Sequence, residues 1–121
     1  MQTDQGLGGT AQWHALVSDF CTHLELQRGL AVHTVRAYRS DVEQLVSYIC
    51  RDGSRAPRDV TIDDLRGWLA DQSERNLSRA TLARRGASVR SFFEWAARSG
   101  YLAGDPASRL ASPRADRTLD R

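Results

Sequence analysis

Side chains able to make or break bonds are few and scattered in this chain, whereas those able to hold an anion are concentrated. Three histidines (His14, His23, His33) and two cysteines (Cys21, Cys50) are present, none at metal-ligand spacing, and no HExxH, CxxC or Gly-rich phosphate loop occurs. Asp63-Asp64 is a carboxylate pair, but at a helix start capping and the helix dipole account for it. No Ser stands in a nucleophile-elbow context. The expectation is a chain without a catalytic residue, a metal or a cofactor. The basic residues tell more: all 17 are Arg. Six of them (Arg75, Arg79, Arg84, Arg85, Arg90, Arg98) fall between positions 75 and 98 against one acid, Glu94. The planar guanidinium forks onto phosphate oxygens or a guanine edge as a lysine ammonium does not. With a formal net charge of only +2, this distribution carries the signal for a nucleic-acid partner.

Helices must position these arginines, because apolar residues recur at helical spacing and nowhere alternate as in a strand. A first helix is expected from about Ala11 to Arg28, with Thr10 as N-cap and Gly29 as C-cap and with Trp13, Leu16, Val17, Phe20 and Leu24 inward. The second runs from about Val32 to Arg51 and places Val35, Tyr38, Val42, Leu45, Val46 and Ile49 on one side. After a loop with Gly53 and Pro57, Thr61 and Asp64 form a capping box for a third helix, about Ile62 to Arg75. Ser78 caps the fourth, about Arg79 to Ser99, with core residues Leu82, Val89, Phe93 and Ala96. Asp105-Pro106 opens a short helical turn to about Leu110. The expected core is Trp13, Phe20, Leu24, Tyr38, Val42, Leu45, Leu65, Leu69, Leu82, Val89 and Phe93. Trp95 falls nearer the outer side of the fourth helix, where it covers the exit segment or meets another protomer.

The expected fold class is all-α, a four- to five-helix bundle of two helical hairpins in one domain over 11–111. Residues 1–10 are expected as a disordered leader without signal-peptide character, and 112–121 as a polar, basic linker. No apolar run nears the ~20 residues of a membrane span. Two thiols packed as small hydrophobes fit a reducing cytoplasm.

The outward faces of two helices carry the candidate contacts. On the second these are His33, Thr34, Arg36 and Ser40; on the fourth, Arg79, Thr81, Arg84, Arg85 and Ser88. His33 lies in the first turn, where the dipole disfavours an imidazolium, so it is expected neutral. Arg36 and Arg79 are near helix starts, where free backbone N–H groups also attract phosphate. Arg84 lies mid-face and is the candidate for a base edge. Arg85 and Arg90 flank the core stripe and could instead fold over it.

The run from Gly29 through Thr34, Ala37-Tyr38 and Asp41-Val42 resembles the G-L-S-x-x-T-x-x-A-Y-x-x-D-L signature of the N-terminal core-binding domain of tyrosine site-specific recombinases. Leu77 to Arg85 with Ser88 to Phe93 resembles the fourth helix of that SAM-like domain, and Asp105-Pro106-Ala107, Leu110 and Ser112-Pro113-Arg114 its exit segment. The resemblance runs from Trp13 to Arg114 and is greatest to the bacterial Xer recombinases, which resolve chromosome dimers. It departs at Ala31, where the family has a capping Ser.

The resemblance implies that the second and fourth helices approach the major groove of double-stranded DNA as half of a C-shaped clamp, with a partner recombinase protomer in the full-length tetramer. It also implies that the catalytic Arg, Lys, His and Tyr belong to a C-terminal domain to which 112–121 would lead. Tyr38, Tyr48 and Tyr101 do not match the nucleophile's context. Two other readings stay open: a core-binding domain of a phage or transposon integrase, and a helical protein-interaction module that binds no DNA.

Overall fold

A leader rich in Gly and Gln is expected to lack structure, yet in the computed structural model the first helix, α1, spans Gln2–Leu26. Residues 2–110 are described, with side chains from residue 9, and the expected linker 112–121 lies outside them. From residue 9 on, the helix packs on the loop that follows α2. At Gly9 a Cβ would stand 2.6 Å from Ser54 Oγ and 3.4 Å from the Arg55 backbone, so α1 and this loop lie in close contact and a side chain there would displace the Ser54 hydroxyl. One turn on, the buried Trp13 donates from Nε1 to the Arg55 carbonyl at 2.7 Å. Thr10 is therefore inside the helix and not its cap. Beyond Leu26 the chain reverses through Gly29 at φ 64°, and the Leu30 amide donates to the Leu24 carbonyl.

The second helix, α2, spans Val32–Ile49; its N-cap, Ala31, supplies no side-chain hydrogen bond. A 3-10 turn over Pro57–Asp59, not foreseen, precedes α3, Ile62–Glu74. The Thr61 hydroxyl accepts from the Asp64 amide and the Asp64 carboxylate from the Thr61 amide, as the spacing predicts. Asp64 also takes both guanidinium nitrogens of Arg55, at 3.1 and 2.8 Å. Asn76, at φ 64°, turns the chain into α4, Arg79–Arg98, whose cap Ser78 accepts from the Thr81 amide.

The helix α4 touches each of the other three helices, and this decides the core. Trp13, Phe20, Leu24, Val42, Leu45, Leu65, Val89 and Phe93 are buried as expected, with Tyr38 and Leu69 packed at the edge. Leu82 is only half-buried, because α4 first becomes fully buried one turn later, at Gly86. A helix packed on three neighbours buries more than a single stripe, so Ser88 and Trp95 are buried as well. Trp95 lies against Phe20, Phe92, His23 and Tyr101 of its own chain. Its partners are thus internal and include Tyr101, three residues beyond the end of α4. The exit segment forms a turn in which the Ala107 amide donates to Asp105 Oδ1; no fifth α-helix forms. Four α-helices and no strand make up the described residues, an all-α bundle with α2 and α4 side by side.

Candidate nucleic-acid interface

The nine candidate residues divide by what α2 and α4 do with them. On α2, His33, Arg36 and Ser40 are exposed and Thr34 is half-buried. They make no side-chain hydrogen bond or ion pair among the described residues. On α4, Arg79 is exposed and likewise unpaired, and Thr81 Oγ1 accepts from the capping Ser78 hydroxyl at 2.9 Å. Arg84, Arg85 and Ser88 behave differently, because they converge on one α2 side chain.

That side chain is Asp41, only 1% exposed. Its Oδ2 accepts from Arg84 Nη1 at 2.8 Å and from the Ser88 hydroxyl at 2.7 Å. Arg85 Nε stands 3.9 Å from Oδ1, while Arg85 Nη1 reaches Gln44 and Gln72. A buried carboxylate without such partners would cost several kcal/mol, so these donors are required by the fold. Ser88 is therefore not on an outward face: it is 4% exposed and turned into the α2–α4 seam. The reason is again the wide buried arc of α4. Arg84 keeps about half of its side chain in solvent (48%) while one nitrogen is held inward, whereas Arg85 retains 15%. Ser40 and Arg85 line one open groove together with Gln44, Gln72 and Arg75.

The arginine excess of residues 75–98 is smaller in space than along the chain. Asp71 holds Arg75 at 3.0 Å, Glu94 holds Arg98 at 3.5 Å and Asp41 holds Arg84. Arg36 and Arg79 are the candidate arginines that no acid neutralises among the described residues. At the start of α2 the missing cap leaves first-turn amides without a side-chain acceptor. Sequence reasoning gave no role to Asp41. A signal was present: it lies three residues after Tyr38 and four before Leu45, a lone acid beside an apolar stripe.

The remaining reactive groups have structural settings. Tyr38 packs edge-on against Phe20, Tyr48 lies under the Arg51 guanidinium, and Tyr101 donates to Asp19 at 2.9 Å, a bond that raises its phenol above the ordinary value. Burial pushes the Cys21 thiol up, against the nearby Arg39. Among the described residues no cluster of His, Cys, Asp and Glu could hold a metal, and no helix is long and apolar enough to cross a membrane.

This four-helix arrangement with its α2–α4 seam belongs to a defined class. The family described as phage integrase, N-terminal SAM-like domain, matches residues 17–100, and the chain is a member of that family. Among its relatives, the chain is similar to the tyrosine recombinase XerC of Mycobacterium tuberculosis, with 45% identity over 105 residues, covering 87% of this chain and 35% of the relative. With the tyrosine recombinase XerC of Corynebacterium glutamicum it shares 40% identity over 116 residues, 96% of this chain and 36% of the relative. The chain thus spans about a third of the length of these relatives. The integrase from mycobacterium phage Brujita has the same fold, with a TM-score of 0.69 over 82% of this chain and 32% of its own, at 18% identity.

Proposed function

We propose that this domain grips one face of double-stranded DNA as the core-binding part of a Xer-type tyrosine recombinase acting in the cytoplasm, where the whole enzyme cuts and rejoins DNA to resolve chromosome dimers. The observation that carries the reading is the pair of solvent-facing, unneutralised arginines, Arg36 and Arg79, near the starts of the two helices that share the Asp41 seam. Cations and free amides at helix starts both attract phosphate. His33, Thr34 and Ser40 on α2 and Thr81 on α4 complete the contact surface, with Arg84 directed to a base edge from the seam. Ser88 enters this reading only through Asp41, and Arg85 through the groove wall. Similarity to proteins named XerC, at 45% and 40% identity, favours a Xer role over a phage integrase role, since likeness to the Brujita integrase is one of fold. A partner recombinase protomer belongs to the same reading.

The test is a salt titration of binding to labelled duplex DNA. The half-clamp should bind weakly, with an affinity that falls steeply as salt rises, because each neutralised phosphate releases condensed counterions. Absence of duplex binding at low salt would leave the helical interaction module as the better account.

A further inference from the structure

Asp41 has a geometry that a mere staple between helices does not need. Both of its close hydrogen bonds fall on Oδ2, one from the buried Ser88 and one from a half-exposed arginine. Arg84 has no other hydrogen bond among the described residues, so a single inward nitrogen tethers a guanidinium whose remaining donors are uncommitted. A guanidinium fixed at one nitrogen keeps its plane near one orientation and loses less freedom when it later forks onto a partner. The same carboxylate neutralises the charge, so Arg84 adds little to the general attraction for phosphate. Arg36 and Arg79, unpaired, supply that attraction.

We infer that Asp41 is a positioning residue, which sets Arg84 for reading a base edge and restrains it from binding phosphate indiscriminately. This rests on the DNA-binding reading above. It yields two effects of opposite sign when the carboxylate becomes an amide. In Asp41→Asn the side-chain oxygen still accepts from Ser88, so the seam stays closed, but the negative charge that offsets Arg84 is gone and its hold on the guanidinium is weaker. Binding to arbitrary sequence should then strengthen while sequence preference falls. A purely structural role predicts the reverse pattern for arbitrary sequence: weaker binding to every duplex alike, together with lost stability.

The experiment uses the whole chain and two probes, a duplex enriched by the wild-type chain from a randomised pool and the unselected pool itself. The expected result for Asp41→Asn is about 3-fold tighter binding to the pool and about a 10-fold loss of preference for the enriched duplex. Combined with Arg84→Ala, Asp41→Asn should cause no further loss of preference. Retained preference, equal weakening on both probes, or an additional loss in the double variant would each overturn the inference while leaving DNA binding intact. Should Asp41→Asn fail to fold, Asp41→Glu keeps the charge and displaces the carboxylate by one methylene. It should then alter preference with pool affinity unchanged, and failure of both variants to fold makes Asp41 a structural staple only. A wild-type chain that binds neither probe fails earlier, at the DNA-binding reading, and takes this inference with it.

Discussion

At the residue scale, what separates one arginine from another is the acid beside it. Arg36 has none among the described residues, and Arg84 has Asp41. Replacing Arg36 by Ala should weaken binding to all duplex sequences alike and lower the salt slope by about one unit. Replacing Arg84 by Ala should flatten the preference between an enriched and a random duplex by about 1–3 kcal/mol. Because it leaves Asp41 with Ser88 as its one close donor, it should also destabilise the fold by about 1–2 kcal/mol, discounted for the solvent around Arg84. Parallel salt titrations and denaturant melts of both variants separate the two roles. If substitutions on α3 abolish binding and Arg84→Ala changes nothing, the face has been misassigned. Asp64 makes a pH prediction of its own. The Arg55 guanidinium, with help from the Thr61 amide and hydroxyl, holds its carboxyl below the usual range. A depressed carboxylate stabilises the fold above its unfolded pKa and loses that contribution as pH falls through the folded value. The stability gap between wild type and Asp64→Asn should therefore be about 1–2 kcal/mol at neutral pH, begin to narrow below about pH 4 and close only below the folded pKa; a gap that does not narrow through that acid range in an acid denaturation series would refute the assignment.

At the element scale, α2 and α4 begin differently although both belong to the candidate interface. Ser78 caps α4 through its hydroxyl, and Ala31 cannot do this for α2. The backbone at Ala31, φ −65° and ψ 154°, is already that of an N-cap. Ala31→Ser should thus supply the missing acceptor without rearrangement and stabilise the chain by about 1 kcal/mol, read as a raised denaturation midpoint at unchanged slope. A hydroxyl there would also compete with phosphate for the same amides, so tighter DNA binding by this variant would argue against phosphate at the start of α2. The 3-10 turn and the Arg55 loop serve α1 and α3 at once: Arg55 gives its carbonyl to Trp13 and its guanidinium to Asp64. That double use ties the N-terminal part of α1 to the bundle.

At the scale of the whole molecule, α2 and α4 each pack on the other three helices, and the three tyrosines are committed to packing, a cation contact and a carboxylate. The chain as it stands should neither cleave nor join DNA, since none of these phenols has an activating set around it. Incubation with a labelled suicide duplex checks this; a covalent protein–DNA adduct would contradict it. The same preparation should give a helical circular dichroism spectrum, and a β-rich one is incompatible with the fold.

Local signals were legible where a short stretch of chain settles the physics. The capping box at Thr61 and Asp64, the Ser78 cap, the reversal at Gly29 and the inward stripe of α2 depend on neighbours within a turn or two. Their periodicity and side-chain chemistry alone therefore determined four helices and an all-α class. The contact of α1 with the loop after α2, the burial of Ser88 and Trp95 and the pairing of Arg84 were not legible, because each depends on a residue more than 40 positions away or on how many neighbours a helix has. A helical wheel assumes one buried face; α4 has three neighbours, and only their packing turned a serine read as exposed into a donor and placed Asp41 at the centre of the α2–α4 seam.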